Sequence, residues 1–202
     1  MIMDIWHYIE KGGWAMFPII LTMLGGFFLF FLRLTQLRDE TKQVKKINRC
    51  LVLIAQGKSD EFASDIKDAT GSIGRLLQCG FENRHLPKSK LEDVLKQVFY
   101  DEHEGIHRHL GTLQMIANIL PMLGLVGTVT GIITVFKVIG ASGGGDPQAM
   151  GQGISEALVA TQSGLVGAIP ILFGHHLLAD KADRVVIEMK RIATAFINAA
   201  EA

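Results

Sequence analysis

The sequence predicts an all-α membrane protein with three transmembrane helices, the second and third long and extending into the cytoplasm, with the N-terminus outside and the C-terminus inside. Three uncharged runs carry this prediction: Gly12–Leu32, Leu110–Phe136 and Ala157–Gly174. Each is near or above the roughly 20 apolar residues that cross a hydrocarbon core as a helix. In lipid every backbone N–H and C=O must be paired internally, so such runs become helices. Basic residues supply the orientation. Arg33, Arg38, Lys42, Lys45, Lys46 and Arg49 follow the first run, and Lys181, Arg184, Lys190 and Arg191 follow the third. Residues 140–152 between the second and third runs hold no Lys or Arg and one acid, Asp146. Basic flanks stay cytoplasmic, which places both ends of the chain as stated.

Taken in order, residues 1–13 read as an interfacial amphipathic helix. Ile2, Ile5, Trp6 and Ile9 recur at helical spacing among Asp4, His7 and Glu10, and Trp6 and Trp14 suit a membrane surface. The acidic flank and the length of the first run argue against a cleaved signal peptide. Residues 14–32 form transmembrane helix 1, containing Pro18 and Gly25-Gly26. A cytoplasmic helical domain follows over 33–112, with turn signals at Gln56-Gly57, Gly71 and Leu86-Pro87. Ile47, Leu51 and Ile54, then Ile73, Leu76 and Leu77, mark faces that pack against later helices. Cys50 and Cys79 both fall in this part, where neither a disulfide nor a zinc pair is expected.

Ser89 and Glu92 have capping-box spacing ahead of Leu91, Val94, Leu95 and Val98, so a helix starts there, and no strong stop precedes Gly140. Transmembrane helix 2 occupies 113–139, with Pro121 as a kink and Asn118 near the freed backbone. Lys137 snorkels to the outer headgroups. The periplasmic loop is 140–152; its glycine triplet lacks the G-K-[ST] of a phosphate cradle. Transmembrane helix 3 occupies 153–177. A cytoplasmic C-terminal helix over 178–202 continues its stripe through Leu178, Val185, Val186, Met189, Ile192, Phe196 and Ile197.

Close helix packing is written into both later crossings. Gly124, Gly127 and Gly131 line one; Ala160, Gly164 and Ala168 recur every fourth residue in the other, with Gly167 beside them. Small residues at this spacing let two backbones approach in lipid. Thr128, Thr130 and Thr134 are polar residues of the second crossing, and such hydroxyls commonly bond back to their own helix. Glu156 opens the third. It reads either as an interfacial carboxylate favoured by a helix N-terminus or as a protonatable, cation-attracting group at the mouth of an ion path. Ser163 shares the face of Glu156, whereas Thr161 points about 140° away.

His103-Glu104-Gly105-Ile106-His107 is a literal H-E-x-x-H, the spacing that sets two imidazoles on one helical face for zinc with a glutamate base. A glycine inside the motif, a solvated helix and the absence of a G-x-x-H continuation weigh against a metalloprotease. His175 or His176 would have to supply a distant third ligand.

The segments G-L-V-G-T-V-T-G-I (Gly124–Ile132) and G-I-S-E-A-L-V-A-T-Q-S-G-L-V-G-A-I-P (Gly153–Pro170) together resemble the ExbB/TolQ/MotA proton-channel family, most nearly its ExbB/TolQ branch. The likeness extends more weakly to the first crossing and to Arg33-Leu-Thr-Gln-Leu-Arg38. The resemblance implies a multi-pass protein of the bacterial inner membrane, forming a homopentamer around an ExbD/TolR-like single-pass partner with an intramembrane Asp. It implies an inner-membrane proton-channel subunit that couples the proton gradient to work on a TonB/TolA-like envelope-spanning protein. By position, Glu156, Thr128 and Thr161 correspond to the proton path; Thr130 and Ser163, which are not matched to the family by position, are candidates for additional polar lining. A flagellar- or gliding-type stator subunit is the alternative within the family. MotA-type stators are expected to have proline at the place of Glu156 and a fourth crossing, and this chain has neither. No enzymatic activity, cofactor, metal or nucleic-acid partner is expected; lipid is.

Overall fold

The computed structural model of the chain describes residues 12–55, 71–142 and 146–199, with side chains described except at 41–55, 142 and 199. Residues 1–11, the Gln56-Gly57 turn, the glycine triplet and the side chains of Ile47, Leu51 and Ile54 lie outside what is described. The described residues form five helices: α1 Met16–Ala55, α2 Gly71–Glu82, α3 Lys88–His107, α4 Leu110–Ser142 and α5 Pro147–Ala199. No strand occurs among them. Three stretches are long and apolar enough to cross a membrane: Met16–Glu40, Lys88–Ala141 and Pro147–Asn198. The predicted all-α class with three membrane-length helices is therefore what the chain forms.

Helix ends follow local chemistry. At the start of α5, Asp146 Oδ1 accepts the Ala149 N–H at 3.0 Å, and Pro147, with φ fixed and no N–H to satisfy, suits the first helical position. The Ser89–Glu92 capping box does not form. Instead α3 begins at Lys88 behind an extended Pro87, with no side-chain cap. The Pro87 carbonyl accepts from Lys90 and Leu91 at 2.9 and 3.0 Å, and Glu92 is drawn to Lys96 at 2.6 Å. The helix expected to run unbroken to Gly140 is interrupted at Arg108 and His109. Arg108 is extended (φ −53°, ψ 136°) and His109 is left-handed (φ 64°), the conformation that commonly closes a helix.

The chain divides into two compact units, one of Met1–Phe31 with Gly111–His175 and one of Leu32–Leu110 with His176–Ala202. In the first, the amino-terminal part of α1 packs with α4 and α5. Gly26 admits Ile116 and Ile171, Gly167 admits Met23, and Gly174 admits the Phe30 ring. Leu21, Phe28, Val129, Phe136, Leu158, Val166 and Phe173 are all exposed. That much bare hydrocarbon would drive association in water; in a bilayer it is the solvated surface.

The second unit has a core of Leu37, Ile73, Leu76, Leu77, Leu91, Leu95, Leu178, Val185, Met189 and Ile192, each at most 2% exposed. Gly80 lies against the Phe196 ring, so α2 packs on the α5 stripe that the sequence marked. Polar side chains of α1 close two helix ends. Glu40 accepts the Ser72 N–H at 3.0 and 3.1 Å and the Ser72 hydroxyl at 3.2 Å, next to Gly71 at φ +74°. A carboxylate there meets the positive end of α2. The buried Arg33 guanidinium donates to the carbonyls of Gly105, at 3.2 Å, and Ile106, in the last turn of α3, where intrahelical donors run out; the Gly105 carbonyl also accepts the Arg108 N–H at 3.4 Å. Arg75 and Glu102 form a two-bond pair between α2 and α3.

Candidate functional site

Within the first unit, α4 and α5 meet along a seam of small residues. A Cβ added to Gly131 would lie 2.7 Å from the Gly153 carbonyl oxygen and 2.8 Å from Ala157 Cβ. One added to Gly127 would lie 2.4 Å from Ala160 Cβ, and one on Gly164 only 2.6 Å from the Leu120 carbonyl oxygen. At Gly124 the nearest atoms are the backbone of Ala160 and Thr161, at 3.0 to 3.3 Å. Two backbones thus approach with nothing larger than a methyl group between them, which lipid-embedded helices achieve only through small residues. Gly124, Gly127, Gly131, Ala160 and Gly164 all lie in this seam. Gly167 faces Met23 and Leu120.

The seam brings two candidate hydroxyls together. Thr128 follows Gly127 and Thr161 follows Ala160, so close approach of the small residues carries each threonine to the other. Their Oγ1 atoms are hydrogen-bonded. Thr161 also donates to the Gly124 carbonyl at 3.0 Å, and Thr128 lies 3.3 Å from the carbonyls of Gly124 and Ala157. The two hydroxyl protons therefore have acceptors inside the protein. What remains free to a visitor is lone pairs.

Other candidates are placed differently. The Thr130 hydroxyl donates to the Val126 carbonyl at 2.9 Å and Ser163 to Val159 at 2.8 Å, each within its own helix. Glu156 is half-buried and lies against the bare Cα of Gly13, about 140° around α5 from Thr161. Nothing in the chain's spacing links position 13 to position 156.

The H-E-x-x-H histidines take up another arrangement. The His103 and His107 rings stack at 4.5 Å. His107 Nδ1 lies 3.2 Å from the His103 carbonyl and Nε2 3.1 Å from Asp183 Oδ1. Both ring nitrogens of His107 are thus engaged, and among the described residues no three His, Cys, Asp or Glu are grouped to hold a metal ion.

A family model described as the MotA/TolQ/ExbB proton channel family matches residues 68–191, more than half of the chain and inclusive of Thr128, Glu156 and Thr161. A protein of Methanothermobacter thermautotrophicus named as a biopolymer transport ExbB homolog is 37% identical over 120 residues, 59% of this chain and 41% of its own length. A biopolymer transport protein of Vibrio cholerae is 34% identical over 133 residues, covering 65% of this chain and 57% of that one. The biopolymer transport protein ExbB of Helicobacter pylori strain J99 is 39% identical over 97 residues, 46% and 66% of the two chains. The chain thus spans roughly half the length of these relatives.

Proposed function

The chain belongs to the MotA/TolQ/ExbB proton channel family, and from that premise we propose that it couples a proton gradient to mechanical work as the multi-pass subunit of an inner-membrane complex. In this reading it is not an enzyme. Copies of the chain, five by family likeness, surround membrane helices of an ExbD/TolR-like partner bearing an intramembrane Asp. Force is passed to a TonB/TolA-like protein, with the N-terminus of this chain outside and its C-terminus in the cytoplasm.

One observation carries the proposal: the joined hydroxyls of Thr128 and Thr161 in a unit whose outer surface is hydrocarbon. With both protons taken by internal acceptors, the pair presents lone pairs. It matches a donor such as hydronium, water or a protonated carboxyl, and repels a bare carboxylate. A buried proton or cation needs such compensation, because an unpaired charge in low dielectric is expensive. Glu156, the one acid between Gly153 and Gly174, attracts the cation from another face of α5, so the path uses both it and the threonine pair through neighbouring copies that present different faces. Each proton crossing the membrane makes about 2.3 kcal/mol available per 100 mV.

The test is three single variants, Thr128→Val, Thr161→Val and Glu156→Ala, each read for complex assembly and for proton-dependent work. Assembly is retained and work is lost in each. Normal work in all three overturns the assignment.

A further inference from the structure

We propose that Gly13 positions the Glu156 carboxyl, seating it at the amino-terminal end of α1; the inference rests on the proton-path reading of Glu156 given above. Two independent features demand glycine at this position. Its φ is +68°, in the left-handed region that side-chain-bearing residues avoid. A Cβ there would fall 1.6 Å from Glu156 Oε1, 2.3 Å from Cδ and 2.8 Å from Cγ. Those atoms are the carboxyl itself and the carbon that carries it, so the acid, oxygen nearest, occupies the space that a Cβ would take.

The surroundings hold this contact in register. A Cβ on Gly12 would meet Met16 Cγ at 2.4 Å and Val159 Cγ1 at 2.9 Å; Val159 is the residue one turn beyond Glu156 on α5. Ala15 is buried and reaches the Gly127–Ala160 crossing, where its Cβ would be 3.1 Å from a Cβ on Gly127. The Met16 N–H bonds the Gly13 carbonyl at 3.2 Å, fixing the Gly13 turn to the first turn of α1. That end of α1 is the positive end of its dipole, a favourable place for a carboxylate. The Gly12–Gly13 step therefore fixes where the acid stands relative to the threonine pair.

The test uses the full chain in native membranes, with its partners present. Glu156 is labelled with a hydrophobic carbodiimide, which adds to accessible protonated carboxyls, and labelling is quantified at that residue by mass spectrometry. Gly13→Ala raises labelling of Glu156 at least threefold and lowers proton-dependent work at least tenfold. Gly25→Ala, inside α1 with nothing within 4 Å of its Cβ position, changes neither. Combining Gly13→Ala with Glu156→Asp withdraws the carboxyl by one methylene, about 1.5 Å, and makes room for the methyl. The double variant recovers work relative to Gly13→Ala alone, or assembly if the single variant fails to assemble. Unchanged labelling in Gly13→Ala, or no recovery in the double variant, overturns the proposal. Intact work in Glu156→Gln would instead overturn the proton-path reading, and the labelling would still decide whether Gly13 seats the acid.

Discussion

Arg33 donates to the main-chain carbonyl of Ile106, so a guanidinium on α1 closes the carboxyl end of α3. Buried to 6% exposure, it also bonds Gln36 Oε1 at 2.6 Å and the Gly105 carbonyl at 3.2 Å. The last carbonyls of a helix lack intrahelical partners and carry the negative end of its dipole, so a cation there satisfies both hydrogen bonding and charge. Removing one partner of a buried hydrogen bond to a charged group costs about 1.5–3 kcal/mol. Arg33→Met is therefore expected to lower the midpoint of thermal unfolding in detergent and to speed amide exchange over Gly105–Leu110. Arg33→Lys should restore little, because an ammonium cannot reproduce the planar fork that spans two carbonyls.

Glu102 supplies a pH dependence with a definite sign. The Arg75 side chain, bonded to it, holds its carboxyl below the ordinary value, against an opposing push from burial. A carboxyl whose pKa is lower folded than unfolded adds stability that is fully present above the unfolded pKa and is lost as pH falls through the folded one. The second unit should thus lose stability below about pH 4.3, the ordinary glutamate value. Arg75 is shifted upward by the same bond and stays charged throughout that window. Unfolding midpoints measured from pH 6 down to about pH 3 should slope less in Glu102→Gln than in the parent. An identical slope would show that the pair contributes nothing. Because Arg75 is 60% exposed, the effect is modest and shrinks in high salt.

The hydroxyls divide into two kinds. Thr128 and Thr161 are bonded to each other, whereas Thr130 is bonded to its own helix at the Val126 carbonyl. Thr130→Val should therefore keep most of the proton-dependent work, and Thr128→Ser, which retains the hydroxyl, should keep more than Thr128→Val. A double-mutant cycle on stability with Thr128→Val and Thr161→Val should show coupling between about 0.6 and 1.7 kcal/mol, the average and the maximum found for polar contacts between membrane helices. Strict additivity would mean that the two hydroxyls do not act as a unit.

Which of these features could be read from the chain depends on how far apart the partners lie. The fold class was legible because uncharged runs of membrane length are a one-dimensional signal. The seam was legible for the same reason: Gly127 with Gly131, and Ala160 with Gly164, repeat at the spacing that brings one face to the surface. Arg33 was not, because a basic residue just after an apolar run is already accounted for by orientation, and its acceptors stand more than seventy residues away. The break after α3 left no mark either, since its left-handed residue is His109 rather than glycine or asparagine. The contact of Gly13 with Glu156 belongs to the same class as Arg33.

Gly164 is where the seam has least slack. A Cβ there would stand 2.6 Å from the Leu120 carbonyl oxygen, 3.2 Å from Gly124 Cα and 3.3 Å from Gly124 N. All three are backbone atoms, which cannot swing aside as a side-chain tip can. One methyl must therefore push α4 from α5, and overpacking of this kind typically costs about 1–3 kcal/mol. The displacement acts at the level of Gly124, whose carbonyl accepts from Thr161 at 3.0 Å, so the hydroxyl pair is disturbed with it. Gly164→Ala is expected to lose most proton-dependent work as well as stability. Gly151→Ala, on the same helix with open space at its Cβ position, should be silent in work and gain about 0.5–1 kcal/mol from helix propensity. Equal behaviour of the two variants would mean that the α4–α5 seam is not as tight as the structure has it.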